Sequence, residues 1–322
     1  MSNRFASSVI ALEEHYWDSD LVAHFPGREG KRLSEIEKRL QDITDLRLKE
    51  MDEAGIDIQV LSHGAPGTQK MQAEPAVRLS RQANDRLAEI VKANPKRFAA
   101  LGILPTPDPK AAADELERTV TKLGFKGAMI HGLTNGRFID DKQFWPIFER
   151  AAALDVPIYL HPSFPHPAVT EVYYKDYLAQ FPELVGPALG FTVEAATQGV
   201  RMVLSGLFDA YPKLQVILGH LGEGIPFLLG RIDETLSRPG NRGGGSFRDA
   251  FCAHFYLTTS GNFSTNALVC SMMEMGVDRI MFSVDWPFAS NTMGTNWLET
   301  TPISTEDKAK IFGGNARRLL RL

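Results

Sequence analysis

Acidic and imidazole side chains recur where short apolar runs of this chain end. These ends carry Glu13-Glu14-His15, His63, His131, His161, His220 and Asp285. Histidine, aspartate and glutamate are the side chains that bind divalent cations and transfer protons near neutral pH. Any one of them alone could simply cap a carbonyl group or a turn. If a fold brings several of them together, they form a reactive site.

The most specific local feature is the segment that carries Glu13 and His15. Alternate residues of a strand point to opposite faces, so these two side chains should share a face while Glu14 points away. Together with His161 and Asp285 they supply two carboxylates and two imidazoles. Such a four-ligand set suits one divalent cation, Mn²⁺ or Zn²⁺, since both metals accept these ligands.

A candidate acid–base pair follows the sixth apolar run. His220 and Glu223 stand three residues apart in the segment LGHLGEG. If a helix begins there, this spacing puts the two side chains on one face, where they form a hydrogen-bonded dyad. The alternative is a capped helix start with a polar first turn.

These side chains need a fold that brings strand ends together. Eight apolar runs predict strands at 8–13, 57–62, 98–104, 126–131, 157–161, 215–220, 255–260 and 279–285. Amphipathic segments between them predict helices, for example at 33–54, 76–93, 111–123 and 306–320. The alternation favours an α/β fold, a (β/α)₈ TIM-type barrel, in which all strand ends converge on one mouth. An open doubly wound sheet is the alternative, although no GxGxxG follows the first strand. We predict a single catalytic domain over residues 1–322.

Three segments depart from the repeat of strand and helix. Residues 16–31 and 162–187 are long enough to be lids or binding walls. The stretch 238–246 (RPGNRGGGS) lacks the GxxxxGK[ST] spacing of a phosphate loop, so we interpret it as a flexible connector.

Composition argues against several classes of function. A net charge of −4 gives no basic surplus for binding nucleic acid. The two cysteines cannot build a disulfide framework, and the first residues show no signal-peptide pattern. No stretch approaches the ~18 apolar residues that a membrane span needs. We therefore expect a cytoplasmic protein with neither nucleic-acid nor membrane partners.

Several motifs, taken in order, resemble those of a known family. ALEEH, YLHP, SGLFDAYPKLQVILGHLGEG, TTSGNF and FSVDWPF resemble the nonoxidative hydroxybenzoate decarboxylases of the amidohydrolase superfamily. The resemblance spans nearly the whole chain. Within the family it is greatest to the γ-resorcylate (2,6-dihydroxybenzoate) group, with the 2,3-dihydroxybenzoate and salicylate groups close by. It implies an amidohydrolase-like barrel that uses a divalent metal ion to remove CO₂ from a small aromatic hydroxy acid.

The resemblance also implies roles for individual residues. The implied metal ligands are Glu13, His15, His161 and Asp285. His220 and Glu223 match the dyad beside the metal. Arg231 matches an arginine that helps form the site near a subunit contact, so we expect a homodimer or homotetramer. We further predict substrate contacts at His63 and Phe288. Family members carry Ser-Leu-Asn-Ala-Pro where residues 62–66 read SHGAP, and this difference leaves the ring substituents of the substrate open.

The implied chemistry explains why these residue types are needed. A hydroxyl ortho to the carboxylate lets the carboxyl-bearing ring carbon be protonated before CO₂ leaves. Asp285 is the candidate acid if the crowded anionic site raises its pKa, an effect that a bound cation opposes. His220 and Glu223 would manage the proton and the nascent CO₂. No thiamine, pyridoxal phosphate or flavin is required.

Two other functions stay open from the sequence alone. One is a mononuclear hydrolase or hydratase of the same superfamily, in which the metal generates hydroxide. The other is a non-catalytic, metal-containing barrel that binds a ligand. An open coordination position argues against a purely structural metal, since structural zinc sites favour cysteine-rich shells. The absence of a lysine at any strand end argues against a binuclear hydrolase.

Overall fold

The apolar runs form parallel strands in the computed structural model of the chain, which describes residues 8–25, 34–238 and 245–322. We number the strands β1 to β8 and treat two segments separated by Leu101 as one strand, β3. The strands are β1 (Ile10–Tyr16), β2 (Ile58–His63), β3 (Phe98–Ala100 and Gly102–Ile103), β4 (Ala128–His131), β5 (Ile158–His161), β6 (Val216–Leu218), β7 (Phe255–Thr258) and β8 (Ile280–Met281).

The strands close into a barrel. Each strand pairs in parallel with the next one along the chain. The gap in β3 is bridged by Leu101, whose N–H donates to the carbonyl of Leu61 at 2.9 Å. A parallel bridge between Leu12 and Ser283 joins β1 to the segment after β8 and completes the ring. The predicted (β/α)₈ barrel is confirmed, and the open sheet is wrong.

Helices connect the strands around the outside of the barrel. They are α1 (Ser19–Ala23), α2 (Ser34–Gln41), α3 (Asp45–Ala54), α4 (Ala73–Ala93), α5 (Pro109–Leu123), α6 (Trp145–Leu154), α7 (Pro167–Val169), α8 (Gly190–Leu204), α9 (Leu207–Ala210), α10 (Ile225–Leu236), α11 (Phe247–His254), α12 (Thr265–Met275), α13 (Asn291–Thr300), α14 (Thr305–Ala309) and α15 (Asn315–Leu320). Across the described ranges, none of these helices combines the length and apolar character needed to cross a bilayer.

The helix starts follow the capping signals of the sequence. The carboxylates and hydroxyls that precede α5 and α14 accept from backbone N–H groups, Asp108 from Ala111 and Ser304 from Asp307, each at 3.0 Å. The single helix predicted at 33–54 is instead two helices, because Asp42 accepts from the N–H of Thr44 at 3.0 Å and forms a turn there.

The predicted loops have different outcomes. Residues 162–187 do not form a plain loop but contain short helical turns, including α7 and a 3₁₀ turn at Pro182–Val185. Residues 26–31 of the first long segment, and 239–244 of the glycine-rich connector, lie outside the described residues.

Two kinds of apolar packing hold the strand ends in place. Inside the barrel, side chains from successive strands fill the interior, among them Leu12, Val60, Met129, Ile217 and Met281. Outside it, the strands pack against the helices in two larger clusters. The barrel is therefore a filled core and not a pore, and only its mouth is left for chemistry.

Candidate metal centre

Four side chains, from β1, from β5 and from the segment after β8, converge at the mouth of the barrel. Glu13, His15, His161 and Asp285 each present one ligand atom, and these atoms all lie within 4.8 Å of one another. His161 Nε2 lies 3.2 Å from Glu13 Oε1, and His15 Nε2 lies 3.3 Å from Asp285 Oδ1. The structure thus brings together all four residues that the sequence predicted as metal ligands.

The donor atoms fit a cation. Glu13 Oε1 and His15 Nε2 are buried without a hydrogen-bond partner within the described part of the chain. The other ring nitrogens are held, since His15 Nδ1 lies 3.2 Å from the Ser62 hydroxyl and His161 Nδ1 lies 2.7 Å from the Pro162 carbonyl. Metal-binding histidines are oriented in this way, with one nitrogen held and the other facing the ion.

A bulge in β1 places the first two ligands. Three residue steps from Ala11 to Glu14 match two steps on β2, and Glu13 takes a left-handed φ of 55°. Glu14 turns away from the cluster, as expected, and accepts from the backbone N–H of Val284 at 2.8 Å and of Trp286 at 3.2 Å. It therefore holds both neighbours of Asp285, whose own φ is 71°.

Hydroxyl groups hold the second oxygen of Glu13. The hydroxyls of Tyr159 and Ser260 both donate to Glu13 Oε2, which leaves Oε1 free to face the other ligands. Although burial opposes ionisation, the imidazoles of His220, His161 and His15 hold the pKa of Glu13 well below its ordinary value. Sequence reasoning missed the two hydroxyls. Tyr159 stood two residues before His161, a spacing that places both on one face of β5.

The predicted dyad forms, but not on a helix. His220 Nδ1 lies 2.7 Å from Glu223 Oε1, while His220 Nε2 lies 4.0 Å from both Glu13 Oε1 and Asp285 Oδ2. Residues 220–224 all have positive φ, and α10 begins only at Ile225. The helix expectation is wrong because the chain makes a left-handed turn here, and this turn brings the two side chains together.

Charge around His220 favours its protonated form. Burial alone would lower the pKa of the imidazole, but the carboxylates of Glu223, Glu13 and Asp285 raise it to about 10. A divalent cation beside the ring would oppose that shift. His220 thus lies between the ligand cluster and Glu223, where it can hold or pass a proton.

The predicted substrate contacts have separate positions. Phe288 is 46% exposed, and its ring centroid lies 6.0 Å from that of His15, so it lies next to the cluster and also contacts solvent. His63 is buried beside Tyr16, with Nδ1 2.7 Å from the Gly64 carbonyl, and burial lowers its pKa to about 4. Arg231 is exposed on α10. No hydrogen bond or ion pair within residues 8–25, 34–238 and 245–322 joins Arg231 to the cluster.

A cavity beside the cluster contains residues that sequence reasoning left without a role. Its lining residues are Ala65, Pro66, Gly67, Gln69, Lys70, His131, Ser163 and Phe164. The ring centroid of His131 lies 4.8 Å from that of His161. Burial, together with the neighbouring imidazoles, holds the pKa of His131 well below its ordinary value. His131 was visible as a strand-end histidine, whereas Gln69 follows β2 in a 3₁₀ turn and carried no signal.

Similarity to known proteins extends over almost the whole chain. Residues 14–322 match the family described as amidohydrolase. The γ-resorcylate decarboxylase of Polaromonas sp. strain JS666 is 42% identical over 97% of this chain and 98% of its own length. A crystal structure of a dihydroxybenzoic acid decarboxylase from Polaromonas sp. JS666, with bound manganese and the inhibitor 2-nitroresorcinol, is 41% identical. It has a TM-score of 0.89 and covers 98% of this chain and 97% of that chain. The 5-carboxyvanillate decarboxylase of Sphingomonas paucimobilis is 35% identical with a TM-score of 0.91, over 98% of this chain and 100% of that chain.

Proposed function

This chain belongs to the amidohydrolase family, and we propose that it is a metal-dependent, nonoxidative decarboxylase of ortho-hydroxybenzoates. The observation that carries the proposal is the cluster of Glu13, His15, His161 and Asp285 with His220 beside it. The similarity to known hydroxybenzoate decarboxylases over nearly the full length supports the same reaction. The enzyme is thus a carboxy-lyase.

The four ligands would hold one divalent cation. Manganese is the metal bound in the Polaromonas structure, and we propose it here, with zinc as the alternative that the same ligands accept. When bound, the cation supplies Lewis-acid attraction for the carboxylate and phenolate oxygens of the substrate. Among the residues that the structure describes, Glu13 Oε1 and His15 Nε2 are buried without a hydrogen-bond partner, and binding of the cation would offset the cost of burying them.

The substrate needs a hydroxyl next to its carboxylate. Direct loss of CO₂ from a benzoate would leave an aryl carbanion that no side chain stabilises sufficiently. With an ortho phenolate, electron density moves to the carboxyl-bearing carbon, which takes up a proton. The bond to the carboxyl group then breaks, its electron pair restores the aromatic ring, and CO₂ leaves. One proton is consumed for each CO₂ released.

We propose that Asp285 and His220 supply that proton. Asp285 Oδ1 faces His15, whereas Oδ2 lies 4.0 Å from His220 Nε2. We assign proton delivery to the Asp285 carboxyl group and its reprotonation to the Nε2–H of His220. Glu223 accepts from Nδ1 at 2.7 Å and stabilises the protonated imidazole. Positioned acids of this kind contribute about 10²–10⁴-fold to a rate.

A panel of isomers tests the proposal. The purified, manganese-loaded protein should release CO₂ from salicylate-type acids, and 3- and 4-hydroxybenzoate should not react because they lack the ortho hydroxyl. CO₂ release is measured for each acid. Hydrolysis of a lactone or hydration of an enoic acid, without CO₂ from any ortho-hydroxybenzoate, would replace the decarboxylase with the hydrolase or hydratase alternative.

The remaining expectations form part of this proposal. We propose that residues 1–322 act as one catalytic domain in the cytoplasm and assemble as a homodimer or homotetramer. Support for assembly comes from α10, where Phe227 is 82% exposed one turn before Arg231. Leu228 beside it is 45% exposed, and contiguous exposed apolar patches mark surfaces that another chain covers.

A further inference from the structure

Buried polar atoms without partners line the cavity beside the metal centre. The side chains of Gln69 and His131 are only 2% and 3% exposed. Both amide atoms of Gln69 and both ring nitrogens of His131 lack a hydrogen-bond partner among the residues described. Native structures leave few buried polar groups unpaired, because each one lowers stability. These atoms can therefore hydrogen-bond to a polar group of a bound molecule or to water.

The two side chains face one small space over Gly67. A Cβ atom on Gly67 would lie 2.9 Å from His131 Nδ1 and closer still to Gln69 Oε1. The backbone of Gly67, with φ of −98°, would accept any residue. Glycine is thus needed here for the space that it leaves and not for its conformation.

The space lies to one side of the metal centre. None of the four predicted ligands lines the cavity, whose other walls include Pro66 and Phe164. His131 pairs with His161 across β4 and β5, so the cavity begins one side chain away from the cluster. If the carboxylate and ortho hydroxyl of a substrate bind at the cluster, we infer that the remote edge of its ring faces this space.

We propose that Gln69 and His131 form a subsite for a second hydroxyl on the substrate ring, meta or para to the carboxyl group. The inference rests on the proposed function, because it assumes a hydroxybenzoate at the metal centre. A glutamine amide and a neutral imidazole each donate and accept hydrogen bonds, and so does a hydroxyl. A methoxy group only accepts, and a ring hydrogen leaves the buried atoms unpaired. Sites built to bind a hydroxyl discriminate strongly against analogues without one.

Equilibrium binding of nitrophenols to the manganese-loaded protein tests the subsite independently of turnover. The nitro group takes the place of the carboxylate and cannot leave as CO₂. 2-Nitrophenol lacks a second hydroxyl, 4-nitroresorcinol and nitrohydroquinone carry it para or meta to the nitro group, and 2-nitroresorcinol carries it ortho. Absorbance titration gives each dissociation constant. At least one probe with a remote hydroxyl should bind about tenfold or more tightly than 2-nitrophenol.

Variants of the cavity should reduce that preference. Gln69→Leu removes the hydrogen-bonding amide, and Gly67→Ala fills the space; each should lower the affinity ratio to within about threefold. Gln143→Leu makes the same replacement at an exposed glutamine and should leave the ratio unchanged. Thermal unfolding of each variant checks that the fold is intact. If one cavity variant does not fold, the other alone tests the subsite.

Several results would overturn the subsite. These are a ratio near one in the wild type, an unchanged ratio in a folded cavity variant, or a preference confined to 2-nitroresorcinol. CO₂ release is measured separately. If salicylate is decarboxylated without any such binding preference, the subsite is rejected and the proposed function stands. A binding preference without decarboxylation of any ortho-hydroxybenzoate supports the subsite and rejects the decarboxylase.

Discussion

Among single residues, the two histidines of the metal centre show how a side chain is prepared to bind an ion. In both His15 and His161, Nδ1 has a neighbour within hydrogen-bond distance and Nε2 faces the cluster. The residue types and strand-end positions predicted these histidines. The Ser62 hydroxyl that holds His15 depends on the pairing of β1 with β2, whereas the Pro162 carbonyl that holds His161 depends on the backbone conformation of the next residue; residue type alone predicted neither.

Replacing His161 with alanine should release most of the bound cation while the fold persists. The variant loses one of four donors, and we expect metal affinity to fall by about tenfold or more. Elemental analysis of the purified protein measures this, with His24→Ala, at an exposed histidine, as the control. An unchanged metal content per chain in His161→Ala would remove that residue from the ligand set.

Glu194 should make stability depend on pH. This carboxyl on α8 is 5% exposed, and burial raises its pKa to about 8 from 4.5. Between these values the folded chain keeps a proton that the unfolded chain has released, so the stability contributed by this group is lost as pH rises from about 4.5 to about 8.

Glu194→Gln removes this titration and preserves the shape of the protonated side chain. The free energy of unfolding of the variant, relative to wild type, should therefore increase with pH over that range, by on the order of 1 kcal/mol per pH unit. Urea unfolding of both proteins at pH 5 and at pH 8 gives the difference in free energy of unfolding between variant and wild type at each pH. A difference that is the same at the two pH values would contradict the buried, protonated state of Glu194.

At the level of secondary-structure elements, the turn before α10 differs most from its sequence-based expectation. The spacing of His220 and Glu223 predicted a dyad, and the structure forms one through a left-handed turn. His220, Leu221 and Glu223 give no signal of this turn, because such side chains favour right-handed conformations by about 1–2 kcal/mol each. Gly222 and Gly224 were the only visible hints of an irregular backbone.

Gly222→Ala should destabilise the protein by about 1–3 kcal/mol, because φ at this position is +83°. The added Cβ would also lie 2.9 Å from Leu257 Cδ2. Gly230→Ala is the matched control, since a Cβ there meets no atom of the described residues within 4 Å and alanine favours a helix interior. Measured by denaturant unfolding, the free energy of unfolding should decrease in Gly222→Ala and increase in Gly230→Ala. Equal effects would argue against strain in the turn.

In strand β1, the side chains face as predicted, but strand alternation is only part of the reason. Simple alternation placed Glu13 and His15 on one face and Glu14 on the other. The structure adds a bulge with a left-handed Glu13, and it uses Glu14 to hold the backbone on both sides of Asp285. Bulges arise from pairing with a neighbouring strand, so the sequence of β1 alone does not show them.

For the whole molecule, the alternation of apolar and amphipathic segments favoured the barrel over an open sheet. Eight apolar runs alternating with amphipathic segments leave few arrangements for a parallel sheet, and closure through Leu12 and Ser283 is the one observed. The cavity was not predictable in the same way. Gln69 and His131 come from different strand–helix units, so their proximity depends on how those units pack around the barrel.

Assembly is a prediction at this scale. Light scattering should report about two or four times the chain mass of 35.7 kDa, since Phe227 and the adjacent Arg231 are exposed on one helix. Phe227→Asp should shift the population toward the monomer by placing a charge on that surface. A wild-type species of 35.7 kDa at working concentration would contradict the predicted oligomer.

The fate of the proton tests the central claim most directly. Manganese-loaded protein is given salicylate or a dihydroxybenzoate with an ortho hydroxyl in D₂O, and the product is examined by NMR. If the carboxyl group is replaced by a proton that exchanges with solvent, as expected for delivery through Asp285 and His220, the product carries one deuterium at the carbon that held the carboxyl group. Turnover that leaves hydrogen at that carbon would contradict this proton path, and no CO₂ from any ortho-hydroxybenzoate would contradict the decarboxylase itself.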